Sequence, residues 1–221
     1  MWLPRKRTVL IVVCAVVAVA LVYVLSLLLE AYRIAPSVLD KAQTLEESGV
    51  RIQDLPVEWK EIILRVEDPS FYEHKGVDLS TPGAGLTTIT QGLVKLHFFQ
   101  RFKPGLHAKL KQTLCAIVLD SKLAKDLQLT LLVNTASLGP SSDGWVVGFP
   151  EAARVYFGKE LSGLTRVEFI SLVAMLIGPV AYHPMNEPGA LADRVSKIEA
   201  LLAGRCEPAG LRDVYYERCS Q

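Results

Sequence analysis

Two adjacent carboxylates, Glu67 and Asp68, occupy a position in this 221-residue sequence that suits proton-transfer chemistry. The apolar residues before them recur at intervals of three and four and predict a helix with one buried stripe, formed by Trp59, Ile62, Ile63 and Val66. Pro69 ends this helix, because the residue before a proline avoids the α region. Glu67 then lies in the last turn, where the helix dipole and Asp68 disfavour its ionised form. Such a carboxyl group suits a general base near neutral pH, although a solvated carboxylate pair at a helix end has the same sequence.

A polar stripe follows the carboxylates in the chain. Thr87, Gln91 and Lys95 are spaced four residues apart, so they would line one face of a helix. Apolar residues at neighbouring positions would line the face that is turned to the core: Ile89, Leu93 and Leu96. A polar stripe that ends in a cation could hold an anionic or sugar-like ligand. An ordinary amphipathic helix in water shows the same pattern.

Both stretches resemble motifs of one enzyme family. The first motif of the peptidoglycan glycosyltransferases, glycosyltransferase family 51, is similar to the run Glu67-Asp68-x-x-Phe71-x-x-His74-x-Gly76-x-Asp78. The second motif, usually written GGSTITQQLVK, is similar to residues 85–95, and the likeness continues to about Pro184. Family members are the transglycosylase domains of bifunctional penicillin-binding proteins and their monofunctional relatives. The resemblance implies a mainly α, lysozyme-like domain preceded by one N-terminal transmembrane helix.

The implied reaction is the polymerisation of lipid-linked disaccharide-peptide into glycan strands. In this scheme the catalytic residues are Glu67, which deprotonates the acceptor sugar's hydroxyl, and Asp68, which orients or tunes Glu67. The acceptor oxygen attacks the donor's anomeric carbon and expels a lipid pyrophosphate, whose concentrated negative charge needs nearby cations. Lys95 is the first candidate for that role. The expected substrate-binding residues are Thr87, Gln91, Lys95, Lys103, Lys109 and Gln112.

The segment that resembles the family's third motif, RKxxE, departs from it. Lys109 matches the lysine, but Ala108 stands where the arginine belongs and Gln112 where a second catalytic glutamate belongs. An amide of the same shape can donate and accept hydrogen bonds, but it cannot supply the negative charge that holds a metal ion. The resemblance suggests one possible cofactor, a divalent cation at the pyrophosphate. Gln112 argues against it, because its side chain carries no negative charge. The spacing of the four histidines indicates no metal site.

The rest of the domain is predicted to be helical. Helices are expected over residues 106–120, over the fourth-motif segment 125–134 with Ser121 as N-cap, over 167–177 and over 189–203. Thr165 and Glu168 form a capping box for the third of these, which should be the central buried helix. Residues 79–85 are rich in breakers and should form a loop, either a flap over the groove or a plain connector.

Length and composition allow one membrane element and one folded domain. The formal net charge is +1, so no attraction to nucleic acid is indicated. The uncharged run 8–29 would be ~33 Å long as a helix, enough to cross a hydrocarbon core of ~30 Å. Arg5, Lys6 and Arg7 precede it and no convincing cleavage site follows it. We expect an uncleaved single-pass anchor in the bacterial inner membrane, with its N-terminus in the cytoplasm.

The expected organisation is a cytoplasmic tip and anchor over residues 1–30, a lead-in over 31–55, a glycosyltransferase-like domain over 56–204 and a tail over 205–221. The domain would then lie outside the inner membrane, where the family's lipid-linked substrate is presented. In that oxidising compartment Cys206 and Cys219 are candidates for a disulfide that clamps the tail.

Three functions compete. A working glycan polymerase is favoured, because Glu67 and the polar stripe of the second motif are both present. The alternative is a catalytically inactive relative that binds lipid-linked precursor or scaffolds cell-wall synthesis, as Ala108 and Gln112 suggest. A hydrolase of finished glycan is disfavoured, since it usually needs a second carboxylate. Expected partners are the lipid-linked peptidoglycan precursor, membrane lipid and other cell-wall synthesis proteins, and not nucleic acid.

Overall fold

The computed structural model describes residues 3–219, and helices dominate it, so the predicted mainly α fold is confirmed. The helices are α1 (Leu3–Ser48), α2 (Val57–Glu67), α3 (Ile89–His97), α4 (Leu106–Lys122), α5 (Lys125–Thr135), α6 (Phe149–Phe157), α7 (Arg166–Met175) and α8 (Pro188–Leu202). Two short strands, β1 (Ser137–Ser141) and β2 (Gly144–Val147), pair as an antiparallel hairpin between α5 and α6. Short 3₁₀ turns cover Ile52–Asp54, Leu161–Gly163 and Glu217–Cys219.

The centre of the domain is α7, whose residues 169–175 are all buried. Thr165 and Glu168 form the predicted capping box, in which the Glu168 carboxylate accepts a hydrogen bond from the Thr165 amide at 2.7 Å. The indole ring of Trp59 in α2 stacks on the ring of Phe169, with centroids 4.2 Å apart. The stripe predicted before Glu67 is buried as well, so α2 lies firmly on the core and Glu67 ends a rigid element.

Helix α1 has two parts with different surroundings. Its apolar residues up to Leu25 are mostly exposed, and within residues 3–219 it is the one helix long and apolar enough to cross a membrane. Its second half presents a buried stripe of mainly small residues to α4 and α5: Leu27, Ala31, Ala35, Val38 and Ala42. Alanines let helices approach closely. The same helix therefore suits a membrane anchor and also supplies part of the domain's core.

The end of α1 is tied to α5 by side chains of the fourth-motif segment. The Asn134 amide donates to the carbonyl of Val50 at 2.7 Å and accepts from its N–H at 3.1 Å. The Thr130 hydroxyl donates to the Glu46 carboxylate at 2.9 Å. These contacts satisfy backbone groups just beyond the helix end. The motif asparagine therefore acts in architecture.

The junction of α4 and α5 differs from the prediction. Helix α4 continues through Ser121, whose hydroxyl donates to the Val118 carbonyl of its own helix at 2.7 Å. Ala124 is the N-cap of α5. The prediction that Ser121 caps α5 is wrong, because a helical serine can bond to the preceding turn instead of the next helix.

We expect Phe169→Ala to lower the free energy of unfolding by about 3–5 kcal/mol, since it removes a buried ring and its stack on Trp59. The measurement is chemical denaturation of the protein in detergent. Val167→Ala, on the exposed side of the same helix, is the control and should change stability by about 0.5 kcal/mol or less. Equal losses for the two variants would contradict the assignment of α7 as the core helix.

Candidate functional site

Asp68 joins the end of α2 to the start of α3. Its buried carboxylate accepts a hydrogen bond from the Ile89 N–H at 3.0 Å, at the first residue of α3. The Nε2 atom of His74 lies 3.0 Å from both Asp68 oxygens. Because Gly76 N–H donates to His74 Nδ1 at 3.1 Å, the ring proton is on Nε2 and points to Asp68. A carboxylate at a helix N-terminus is favourable, so this pair holds α3 beside Glu67.

Asp68 itself does not line the cavity that Glu67 faces, as far as the described residues define it. We predicted a catalytic role in which Asp68 orients or tunes Glu67. Its position agrees with tuning through charge, since it raises the pKa of Glu67. Its carboxylate accepts hydrogen bonds from the Ile89 amide of α3 and from His74, so in the structure it holds α3 in place.

The polar stripe of α3 is divided between two surfaces. Helix α3 begins at Ile89 with Thr88 as N-cap, so Thr87 precedes the helix. The Gln91 side chain completes the capping box and donates to Thr113 Oγ1 of α4 at 3.2 Å. Gln91 is thus buried against α4, while Thr87 and Lys95 line the cavity. The predicted common face fails at Gln91, because a capping box turns the third helical residue back toward the N-cap.

A cavity of about 570 Å³ opens beside Glu67. It is bounded by the end of α2, the 83–88 loop, α3, the end of α5, the segment after α7, α8 and residues 214–215. Its charged lining residues, among those that the structure describes, are Glu67, Lys95 and Arg194. Thr87, Thr88 and Ser137 add hydroxyl groups to the wall. One carboxylate and two cations therefore line a space large enough for a ligand.

Glu67 is prepared for proton transfer. Burial raises its pKa to about 7, with Arg194 opposing the rise and Asp68 adding to it. The carboxylate is nevertheless partly exposed to the cavity, and it makes no hydrogen bond or ion pair with another side chain or amide within residues 3–219. A general base needs this combination of a pKa near the working pH and free lone pairs.

Arg194 is a site residue that the sequence reasoning missed. Its Nε donates to the Ala174 carbonyl at 3.0 Å and its Nη1 to the Val214 carbonyl at 3.1 Å. The rings of Tyr182 and Tyr216 lie 5.2 and 5.8 Å from the guanidinium carbon. The sequence could have indicated Arg194, because it is a charged residue at a position within the apolar stripe of α8 and charged residues are rarely buried without a role. The stripe consists of Leu191, Val195, Ile198 and Leu201.

The predicted lysines occupy three different environments. Lys95 is exposed in the cavity wall, with its Nζ 5.0 Å from the centroid of the Phe102 ring. Lys109 donates to the Leu86 carbonyl and approaches Thr87 Oγ1 at 3.5 Å, and burial followed by the nearby Lys95 lowers its pKa. Lys109 thus holds the backbone at Leu86 and is not among the cavity-lining residues of the described chain. Lys103 is exposed on the loop between α3 and α4 and is not among the cavity-lining residues of the described chain.

Gln112 is buried at the interface of α3 and α4. Its Nε2 donates to the Gln91 carbonyl at 2.8 Å, and its Oε1 lies 3.4 Å from Lys109 Nζ. The cavity offers a single carboxylate among the described residues, and residues 3–219 contain no group of three or more His, Cys, Asp or Glu side chains that could hold a metal. Divalent cations prefer several oxygen ligands, so the described residues of the cavity do not fit a cation site.

The helical core and the cleft beside Glu67 agree with a lysozyme-like domain. The chain belongs to the transglycosylase family, whose model matches residues 36–202. Penicillin-binding protein 1B of Escherichia coli (strain K12) is 31% identical over 153 residues, 63% of this chain and 18% of that protein. Penicillin-binding protein 1B of Haemophilus influenzae is 28% identical over 205 residues, 86% of this chain and 26% of that protein. Penicillin-binding protein 1F of Bacillus subtilis is 31% identical over 172 residues, which are 72% of this chain and 23% of that protein. The chain thus matches about a fifth to a quarter of each relative's length.

The pKa of Glu67 has a consequence for stability. The folded protein holds this proton more tightly than the unfolded chain, whose glutamate pKa is about 4.5. Burial also lowers the pKa of His97 to about 4, which makes the protein more stable as pH rises from about 4 to 6.5. Ionisation of Glu67 adds an opposite fall in the free energy of unfolding between about pH 4.5 and 7, which levels off at higher pH. Glu67→Gln should remove this fall and stabilise the protein at pH 8 by on the order of 1–2 kcal/mol, with no gain at pH 4. The measurement is denaturation across this pH range.

Glu61→Gln is the matched control for that series, because Glu61 is exposed on the same helix. It should leave the pH dependence of wild type intact. A Glu67→Gln variant with the wild-type pH profile would show that Glu67 ionises normally in the folded protein.

Gln112→Glu should lower the free energy of unfolding by about 1–3 kcal/mol at pH 8. The substitution removes the donor that satisfies the Gln91 carbonyl and places a carboxylate against that oxygen. Thermal melting measures the effect, with exposed Gln100→Glu as the control. A Gln112→Glu protein as stable as wild type would mean that α3 and α4 accommodate the charge.

Proposed function

We propose that this chain is a membrane-anchored peptidoglycan glycosyltransferase that polymerises lipid-linked disaccharide-peptide (lipid II) into glycan strands and releases undecaprenyl pyrophosphate. The observation that carries the proposal is Glu67, a carboxyl group with a pKa of about 7 and free lone pairs in a cavity that also holds Lys95. Membership of the transglycosylase family supports the reaction class. The division into an anchor over 1–30, a lead-in over 31–55, a domain over 56–204 and a tail over 205–221 is part of the same proposal.

In this mechanism Glu67 accepts the proton of the acceptor sugar's hydroxyl as that oxygen attacks the donor's anomeric carbon. A new carbon–oxygen bond forms while the bond between the anomeric carbon and the pyrophosphate oxygen breaks. The lipid pyrophosphate leaves with the bonding electron pair, and the proton remains on Glu67 until it passes to solvent. Because the carboxyl pKa is near neutrality, Glu67 can both take and release the proton at physiological pH.

Lys95 stabilises the negative charge that develops on the leaving pyrophosphate. It is exposed in the cavity wall, so its ammonium group is available to a ligand. Thr87 lies at the same wall and would position an oxygen of the donor. Lys109 supports this surface indirectly, since it holds the Leu86 carbonyl. A cation that is already beside the leaving group stabilises its developing negative charge, whereas water molecules would first have to reorient.

The proposed location is the bacterial inner membrane, with the N-terminus of α1 in the cytoplasm and the domain on the outer side. The apolar half of α1 supports the anchor, and the positive residues that precede it support the orientation. The structure joins Cys206 to Cys219, and disulfides persist in oxidising compartments, which supports an extracytoplasmic domain. The proposed partners are the lipid-linked precursor, membrane lipid and other cell-wall synthesis proteins.

Gln112 favours a second candidate function, a catalytically inactive relative that binds lipid-linked precursor or scaffolds cell-wall synthesis. By its resemblance to the third motif, the amide stands where the family's second catalytic glutamate would be, and it donates a hydrogen bond to the backbone of α3. Under this alternative Glu67 and Lys95 would bind the precursor without turnover.

Activity of Glu67 and Lys95 variants decides between the two functions. We expect purified protein in detergent to polymerise lipid-linked precursor, Glu67→Gln to abolish the product, and Lys95→Ala to lower kcat by roughly 10²-fold. Product length and amount are measured by gel electrophoresis of labelled glycan. Lys197→Ala is the control, because Lys197 pairs with Asp193 on α8.

Precursor binding is measured in parallel by fluorescence anisotropy. If wild type and Glu67→Gln bind the precursor equally and neither forms glycan, the inactive relative is the correct function. If neither protein binds the precursor, both candidate functions are wrong.

A further inference from the structure

Residues 205–219, which we term the strap, lie beyond the family match at 36–202 and yet contribute to the candidate site. Val214 and Tyr215 of the strap line the same cavity as Glu67. The strap begins after α8 and returns to it, because Cys219 is bonded to Cys206 near the end of that helix. A wall of the cavity is therefore formed by a segment that the family match does not include.

The strap holds the glycine-rich loop that precedes α3. The Gly83 N–H donates to the Gly210 carbonyl at 3.0 Å, and the Gly85 N–H donates to the Leu211 carbonyl at 2.8 Å. Both glycines have positive φ angles, and a Cβ atom on either would come within 2.7 Å of a strap side chain, Pro208 or Val214. The loop and the strap are thus in close contact, and the strap carbonyls satisfy two backbone N–H groups of the loop.

The strap also contacts the residues around Glu67. The Tyr216 hydroxyl donates to the carbonyl of Val66, the residue before Glu67, at 2.6 Å. The Val214 carbonyl accepts from Arg194, whose charge acts on Glu67. Tyr216 is buried and has a φ of 56°, a left-handed conformation that a tyrosine adopts at a free-energy cost. Such a conformation persists where surrounding contacts hold it in place.

We propose that the strap is a positioning element of the glycosyltransferase site, that Tyr216 is its positioning residue for Glu67, and that the Cys206–Cys219 bond keeps it closed over the cleft. This inference rests on the proposed function for its catalytic consequence. Its structural part, the closure of the strap on the loop by the disulfide, stands independently of any activity.

Opening of the strap should change the environment of Glu67. The charged and titratable groups that face Glu67 are Asp68 at its own helix end, Arg194 from α8 and Tyr216 from the strap, with Lys95 of α3 in the same cavity. Burial is the main cause of the raised Glu67 pKa. Removing the strap's cover admits water and should lower that pKa, so that activity extends to more acidic pH while the turnover falls.

The first experiment is hydrogen exchange of the Gly83 and Gly85 amides, read by mass spectrometry or NMR on the full chain. Treatment with dithiothreitol should accelerate exchange at both amides by about tenfold or more, and Cys206→Ser/Cys219→Ser should do so without reductant. Exchange of the Gly148 amide, which donates to Ala136 at 2.8 Å in another part of the domain, should not change and reports intact folding. The double variant should show no further response to dithiothreitol.

Unchanged exchange at Gly83 and Gly85 after reduction, with protection of Gly148 retained, would overturn the closure by the disulfide. If Gly148 also loses protection, the bond stabilises the whole domain and the proposed local closure is equally overturned. Neither result depends on glycan synthesis, so the failure of the proposed function would be recognised separately by the absence of product in oxidised wild type.

The second experiment is Tyr216→Phe, which keeps the ring and the disulfide but removes the hydrogen bond to the Val66 carbonyl. Without this bond the buried Val66 carbonyl needs water as its partner, directly beside Glu67. We therefore expect kcat to fall about tenfold with KM nearly unchanged, and the acid limb of the pH–rate profile to move to lower pH. Tyr32→Phe is the control, because Tyr32 is exposed on α1, does not line the cavity, and its hydroxyl makes no hydrogen bond within the described chain. A Tyr216→Phe enzyme with the wild-type pH profile and kcat would overturn the role of Tyr216.

Discussion

The hydrogen bond from the Ile89 N–H to the Asp68 carboxylate is the contact on which the geometry of the site depends. It joins the last turn of one helix to the first turn of another, and the rest of the motif supports it. His74 holds the other side of Asp68, and the Thr88–Gln91 capping box fixes where α3 begins. Since a buried carboxylate needs partners for its lone pairs, each member of this cluster requires the others. Glu67 and Lys95 face the same cavity because this junction is rigid.

Several side chains of the family motifs act in architecture and leave the chemistry to few groups. Gln91 of α3 donates a hydrogen bond to α4, and Gln112 of α4 donates one to the backbone of α3. Asn134 holds the chain just after α1 through the Val50 carbonyl. This arrangement gives Gln112 a structural role in this chain. A carboxylate there would meet a backbone carbonyl that now receives a hydrogen bond. Among the residues that the structure describes, the cavity therefore has one carboxylate, that of Glu67.

Glu67 illustrates the balance between stability and function. Burial of a carboxyl group opposes its ionisation, so the folded chain holds a destabilising group in place. The core beneath it is well packed, with α7 buried and Trp59 stacked on Phe169. A stable scaffold of this kind can hold a group in an unfavourable environment, which is common at functional sites.

The sequence by itself determined the helices, the capping box of α7, the central buried helix and the family, because these depend on local periodicity and on motifs that are contiguous in the chain. It also indicated Glu67 and Lys95, and paired Cys206 with Cys219 as candidates. The tertiary structure alone decided which polar residues reach the cavity: Thr87 and Lys95 do, Gln91 and Gln112 face a neighbouring helix, and Arg194 arrives from a distant element. Spacing along a helix specifies a face but not what covers it, and that depends on packing between segments far apart in the chain.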